Sequence, residues 1–161
     1  MNDTAQSMNE EDQSNVYVLL ILSHLYHKQN FSDKALSTAN QAIQASLKAS
    51  MGKEAVLLFN TFSAVKFKLE LTSVERMALA AHLMGQKQFM DAASCYLTVS
   101  ALTNDEDEKL DIQKKYIELA ERVTQANELQ VALKLYQLFL KEFPGSTLTG
   151  FVKEQELKGT S

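Results

Sequence analysis

The stretch ALKLYQLFLKEFPGS, Ala132 to Ser146, decides the fold, because it joins a helical spacing of apolar residues to the only proline in the chain. Starting at Leu129, apolar side chains recur at Ala132, Leu133, Tyr136, Phe139, Leu140 and Phe143. Steps of three and one keep these residues on one face of a helix. Pro144 cannot continue the hydrogen-bonded turn and Gly145 tolerates a reversal, so the pair is expected to end that helix. One proline and five glycines in 161 residues are too few breakers for a fold of many short strands. The composition therefore favours helices. With 45% apolar and 22% charged residues, it is that of an ordinary globular domain, long enough to bury a core without staples.

Upstream, Ile112, Tyr116, Leu119, Ala120 and Val123 carry the core face of another helix. Its start is marked by Asn104 and the four carboxylates that follow, placed where the helix dipole favours negative charge. Read as a calcium loop, the same run lacks the alternate ligand spacing and the glycine. Asn127 separates the two helices. A second pair pivots on Phe89, Ala92, Ala93, Tyr96 and Val99. Before it comes a helix over about 74–86 with Met77, Ala78, Ala81 and Met84, opened by the capping-box spacing of Thr72 and Glu75. A third pivots on Phe31, Ala35, Ala39, Ala42, Ile43 and Leu47. Alanine-rich stripes let two helices approach closely.

The first helix of that third pair, carrying Val16, Leu19, Leu20, Leu22, Ser23 and Tyr26, is apolar on more than one side, which predicts packing on two neighbours. Residues 1–13 are polar and aperiodic and are expected to be a loose tail, with Ser14 or Asn15 as the cap and one domain spanning 14–161. Gly52 is expected to break the next junction. Residues 55–71 are ambiguous, since VKFKLEL alternates like a strand while Leu58, Phe62, Val65 and Leu69 share a helical face. A lone strand would leave its ladder unpaired, so an additional helix is expected. A short amphipathic segment over 147–157, with Leu148, Phe151 and Val152 on one side, is expected to cover the end of the stack.

Aligned on Ala35, Ala92 and Ala132, the three hairpins show one order: apolar helix, short polar turn, aromatic or leucine, alanine, apolar face. The last unit resembles a tetratricopeptide repeat, with Ala132, Tyr136 and Pro144 at the family's small, aromatic and terminating-proline positions. The first unit matches through Tyr26, Ala35, Ala42 and Ile43, and the second through Phe89, Ala92 and Tyr96. The alanines are 57 and 40 residues apart, whereas family repeats run to about 34. The resemblance implies an all-α fold, a right-handed α-α superhelix of antiparallel hairpins with one extra helix.

It further implies a protein-interaction module, a scaffold or adaptor, that takes a peptide or partner helix along a concave apolar groove. Carried over residue by residue, the groove positions are Tyr17, Leu20, His24, His27 and Lys28, then Met77, Ala81 and Met84, then Lys114, Glu121 and Gln125. The Lys and Asn pairing of members that clamp a C-terminal carboxylate is missing. The methionines imply a greasier, more adaptable groove. The second unit is also similar to tetratricopeptide chaperones of bacterial type III secretion, so a chaperone for a secreted or membrane-inserting client is one alternative. A structural subunit of a homo-oligomer is another.

Other classes find less support. A net charge of −4 with scattered lysines argues against nucleic acid. The longest apolar runs are far short of the roughly 20 residues of a spanning helix, and no secretory segment follows the acidic start. A single cysteine, Cys95, excludes an internal disulfide and fits a reducing cytoplasm, where it is expected to be a buried small apolar group. His24 and His27 are three apart but have no third ligand nearby, so no metal is expected; His82 is expected on the solvent side of its helix. With no phosphate loop, nucleophile elbow or zinc-protease motif, no enzyme activity and no cofactor are expected.

Overall fold

The computed structural model describes residues 2–62 and 70–160. Among these, eight helices and no strand are found: α1 (Asn2–Lys28), α2 (Ser32–Lys48), α3 (Gly52–Thr61), α4 (Ser73–Gly85), α5 (Phe89–Leu102), α6 (Glu106–Gln125), α7 (Leu129–Glu142) and α8 (Thr149–Thr160). The fold is all-α, as the apolar spacing predicts. The chain divides into two compact units, Met1–His82 and Leu83–Ser161, where a single domain over 14–161 is expected from the sequence.

One connector recurs four times, twice in each unit. Residues 29–31, 49–51, 86–88 and 126–128 each join two helices in three residues, and the middle of each adopts a left-handed backbone: Asn30 (φ 62°), Ser50 (58°), Lys87 (61°) and Asn127 (63°). The residue after it donates its N–H back across the turn: Phe31 to the Tyr26 carbonyl (2.9 Å), Met51 to Ser46 (2.7 Å), Gln88 to Leu83 (2.9 Å) and Glu128 to Val123 (3.2 Å). These bonds occupy carbonyls that a helix end otherwise leaves unpaired. The same residue's carbonyl then accepts from the fourth residue of the next helix, which is alanine every time: Ala35, Ala55, Ala92 and Ala132. All four alanines are buried.

Two sequence expectations about breakers change here. Among the described residues no glycine has a positive φ, so Gly145 takes its place in the turn after α7 without a left-handed backbone, and Ser50, not Gly52, makes the turn before α3. Asparagine accepts this geometry through its short polar side chain; serine and lysine take it at a strain cost.

In Met1–His82, α2 packs against both α1 and α3. Val16 and Ser23 on α1, Ala35, Ala39, Ala42 and Ile43 on α2, and Ala55, Val56, Leu58 and Phe59 on α3 are buried. The helix α1 spans Asn2–Lys28 with no proline or glycine inside it. The expected helix over 55–71 is helical to Thr61, capped by buried Phe62; residues 63–69 lie outside the described residues, and Glu70 to Thr72 are not helical. Asn40 and Gln44, one turn apart on α2, hold the main chain of Glu70: its N–H donates to Asn40 Oδ1 (3.1 Å) and its carbonyl accepts from Gln44 Nε2 (3.2 Å). The capping box at the start of α4 forms as expected, with Thr72 N–H donating to Glu75 Oε1 (2.9 Å) and Glu75 N–H to Thr72 Oγ1 (3.2 Å).

In Leu83–Ser161, α5, α6 and α7 pack on one another and α8 packs on α7. The cap of α6 is Asp105 rather than Asn104, its carboxylate accepting from Asp107 N–H. Tyr116 is fully buried and donates its hydroxyl to the Leu135 carbonyl at 2.6 Å, tying α6 to α7. Phe139 follows it at 5.6 Å between ring centroids and Phe143 at 5.0 Å from Phe139, tilted pairs that fill the space beneath the end of α7. Val152 of α8 is buried while Phe151 is 40% exposed, so only part of the apolar side expected for this segment packs inward.

Candidate partner-binding surface

The expected groove residues fall into three groups. On α1, Tyr17 is exposed, Leu20 is half-buried, and His24 and His27 flank the ring of Phe62 at centroid distances of 5.6 and 5.4 Å. Both imidazoles thus pack beside the residue that caps α3, with His27 still exposed. Among the described residues no group of three or more metal-ligating side chains forms. Lys28 is exposed in the last turn of α1, where a cation suits the helix dipole.

On α4, spacings of four and three put Met77, Ala81 and Met84 on one face. Ala81 is exposed, whereas Met77 and Met84 are half-buried. Met84 sulfur accepts a hydrogen bond from the Tyr96 hydroxyl at 3.3 Å, so it supports α5 as well as facing outward. Burial raises the Tyr96 phenol above its ordinary pKa, helped by Cys95 and opposed by Arg122. Cys95 itself is buried, as expected of a small apolar group. On α6, Lys114, Glu121 and Gln125 form an exposed stripe along one side, opposite the buried face of Ile112, Tyr116, Leu119 and Val123. The first unit therefore brings together the α1 set, the second the α6 set, and α4 presents its own row.

His82 differs from its expected place in solvent. Its imidazole is half-buried directly over Gly52, the first residue of α3, where a Cβ would collide with the ring. Two surfaces escaped sequence reasoning. One is a groove of about 770 Å³ in the first unit, walled by Gln44, Ala45 and Leu47 of α2 and by Thr72, Val74 and Ala78 at the start of α4. Val74 stands 80% exposed beside it. The other is the outward side of α1, where Tyr17, Val18, Ile21 and Leu25 are all about half exposed. The all-round apolarity of α1 was a signal for this second surface; nothing in the pattern announced the first.

No protein-family profile, curated protein or solved structure matches the chain. No described helix is long and apolar enough to cross a membrane.

Proposed function

We propose that this chain is a tetratricopeptide-like interaction module that receives a peptide or partner helix along a concave face built from the first helix of each hairpin. The observation carrying this reading is the recurrence of one connector with one buried alanine after it. In the three hairpins of the sequence alignment, the residue twelve positions before that alanine is also small and buried: Ser23, Ala80 and Ala120. Small residues at matched positions on both helices of a hairpin are what close, repeated stacking requires. The partner would lose apolar area against Tyr17, Leu20, Met77 and Met84, at roughly 25 cal/mol per Å² before ordering costs. Lys28, Lys114, Glu121 and Gln125 would set its register through polar contacts at the rim.

Because Met84 also supports Tyr96, exposed positions make cleaner probes. Tyr17→Glu, Ala81→Glu and Glu121→Lys are each expected to leave helicity unchanged and to lower capture of the co-purifying partner at least about tenfold. Capture at wild-type level by all three variants would remove the groove assignment.

A further inference from the structure

We propose that the partner segment received along α6 is basic, and that it places an arginine side chain in the cavity beside the start of that helix. The proposal rests on the reading of the open side of α6 as part of the docking face. The cavity, about 440 Å³, lies within the second unit, between the first turns of α6 and the end of α7 with the link that follows it. Half-buried Leu110 and Phe143 and exposed Pro144 give it apolar walls, and Glu106, Asp107 and Glu142 supply carboxylates. An arginine suits such a site with both its halves. Its aliphatic stem covers apolar surface, while the planar guanidinium stacks on an aromatic ring and pairs with carboxylates.

The helix ends do not account for all of this charge. Glu106 pairs with Lys109 at 3.6 Å, and Asp107 suits the first turn of α6. Glu142, however, is the last residue of α7, where the helix dipole disfavours a negative charge. Among the described residues neither Asp107 nor Glu142 forms an ion pair. From the cavity the same sign runs on along α6. Steps of four, three, four, three and four put Asp107, Asp111, Lys114, Glu118, Glu121 and Gln125 on one exposed side, four acids to one base. The same spacing sends Lys115 and Arg122 to the flank away from the cavity. Asp111, Glu118 and Glu121 are also without an ion pair among the described residues. An acidic segment would be repelled here and an apolar one would strip these carboxylates of water. Cations spread over the about 21 Å from Asp107 to Glu121 meet them instead.

Synthetic probes test this on the full chain by amide nuclear magnetic resonance. Acetyl-arginine amide should shift the Leu110, Phe143 and Ser146 amides saturably, and its uncharged isostere acetyl-citrulline amide should not. A helical, alanine-based peptide can carry four arginines at steps of four, seven and three, the spacing of Asp107, Asp111, Glu118 and Glu121. At ~150 mM salt it should bind at least about tenfold tighter than the same peptide with its arginines consecutive. Glu142→Gln should weaken the arginine probe at least about threefold and raise the melting temperature slightly, since it removes a negative charge from the C-terminal end of α7. Equal response to the arginine and citrulline probes, equal affinity for the two peptides, an arginine response unchanged in Glu142→Gln, or a melting temperature lowered by it would each overturn the proposal. Failure here is separable from failure of the docking face. Probes that bind while Tyr17→Glu and Ala81→Glu leave partner capture intact keep the basic-segment site and remove the groove; capture lost in those variants with no response to any probe does the reverse.

Discussion

Gly52 lies where the first residue of α3 meets His82, and no atom beyond its hydrogen fits there. Gly52→Ala forces the imidazole aside. Overpacking of this kind costs about 1–3 kcal/mol, so a lowered urea midpoint is expected. Replacing His82 by alanine in the same chain should return most of the loss, since the obstacle is a single side chain; a double variant no better than Gly52→Ala would place the strain in the backbone instead. Tyr116 is a second position where one atom matters. Its hydroxyl is the partner of the Leu135 carbonyl inside the α6–α7 contact. Tyr116→Phe leaves that carbonyl without its donor and should cost about 1–3 kcal/mol, read as a shift in midpoint at unchanged slope.

At the level of elements, the three-residue connector governs behaviour. Lys87 holds a left-handed backbone that an unbranched L-residue adopts at a cost of about 1–2 kcal/mol. Lys87→Gly removes that cost against some loss of unfolded-chain restraint, so a modest net gain is expected. Lys87→Val should lower thermal stability clearly, because a β-branched residue is worse still in that geometry. Equal melting temperatures for the two variants would contradict this account. Much of the element pattern was legible in advance. The start of α4, the capping box, the alanine stripes and the end of α7 follow from local chemistry, which acts within a turn or two of the residue concerned. The turn residues were less legible: Ser50 and Lys87 have no intrinsic preference for this geometry and take it because the helices on either side impose it. Ala55 was missed for a related reason, since the spacing of 20 residues from Ala35 to Ala55 is shorter than a helical-hairpin repeat.

Across the whole molecule, alkaline pH should find its weakest point in Leu83–Ser161. Burial raises the phenols of Tyr96, Tyr116 and Tyr136 above their ordinary value, Tyr116 most, with Thr124 partly opposing the shift at Tyr136. The unfolded chain gives up these protons first, near pH ~10. Stability from the neutral buried phenols is therefore complete below that pH and is lost as pH rises through the higher folded-state values. A melting temperature that falls above pH ~10, less steeply in Tyr116→Phe, is the expected result; equal slopes would remove Tyr116 from the effect. The candidate surface was only partly legible in the sequence. Lys114, Glu121 and Gln125, which the resemblance implies, share one open side of α6, but no local pattern could reveal that Phe62 engages His24 and His27 from 35 residues away.

The four uniform connectors also bear on how such a chain tolerates change in length. Each spans the gap with no slack, and one added residue would turn the following helix by about 100° and swing its alanine out of the contact. Inserted or deleted residues should therefore be accepted around 103–105 and 143–148, where the links differ, and rejected at 29–31, 49–51, 86–88 and 126–128.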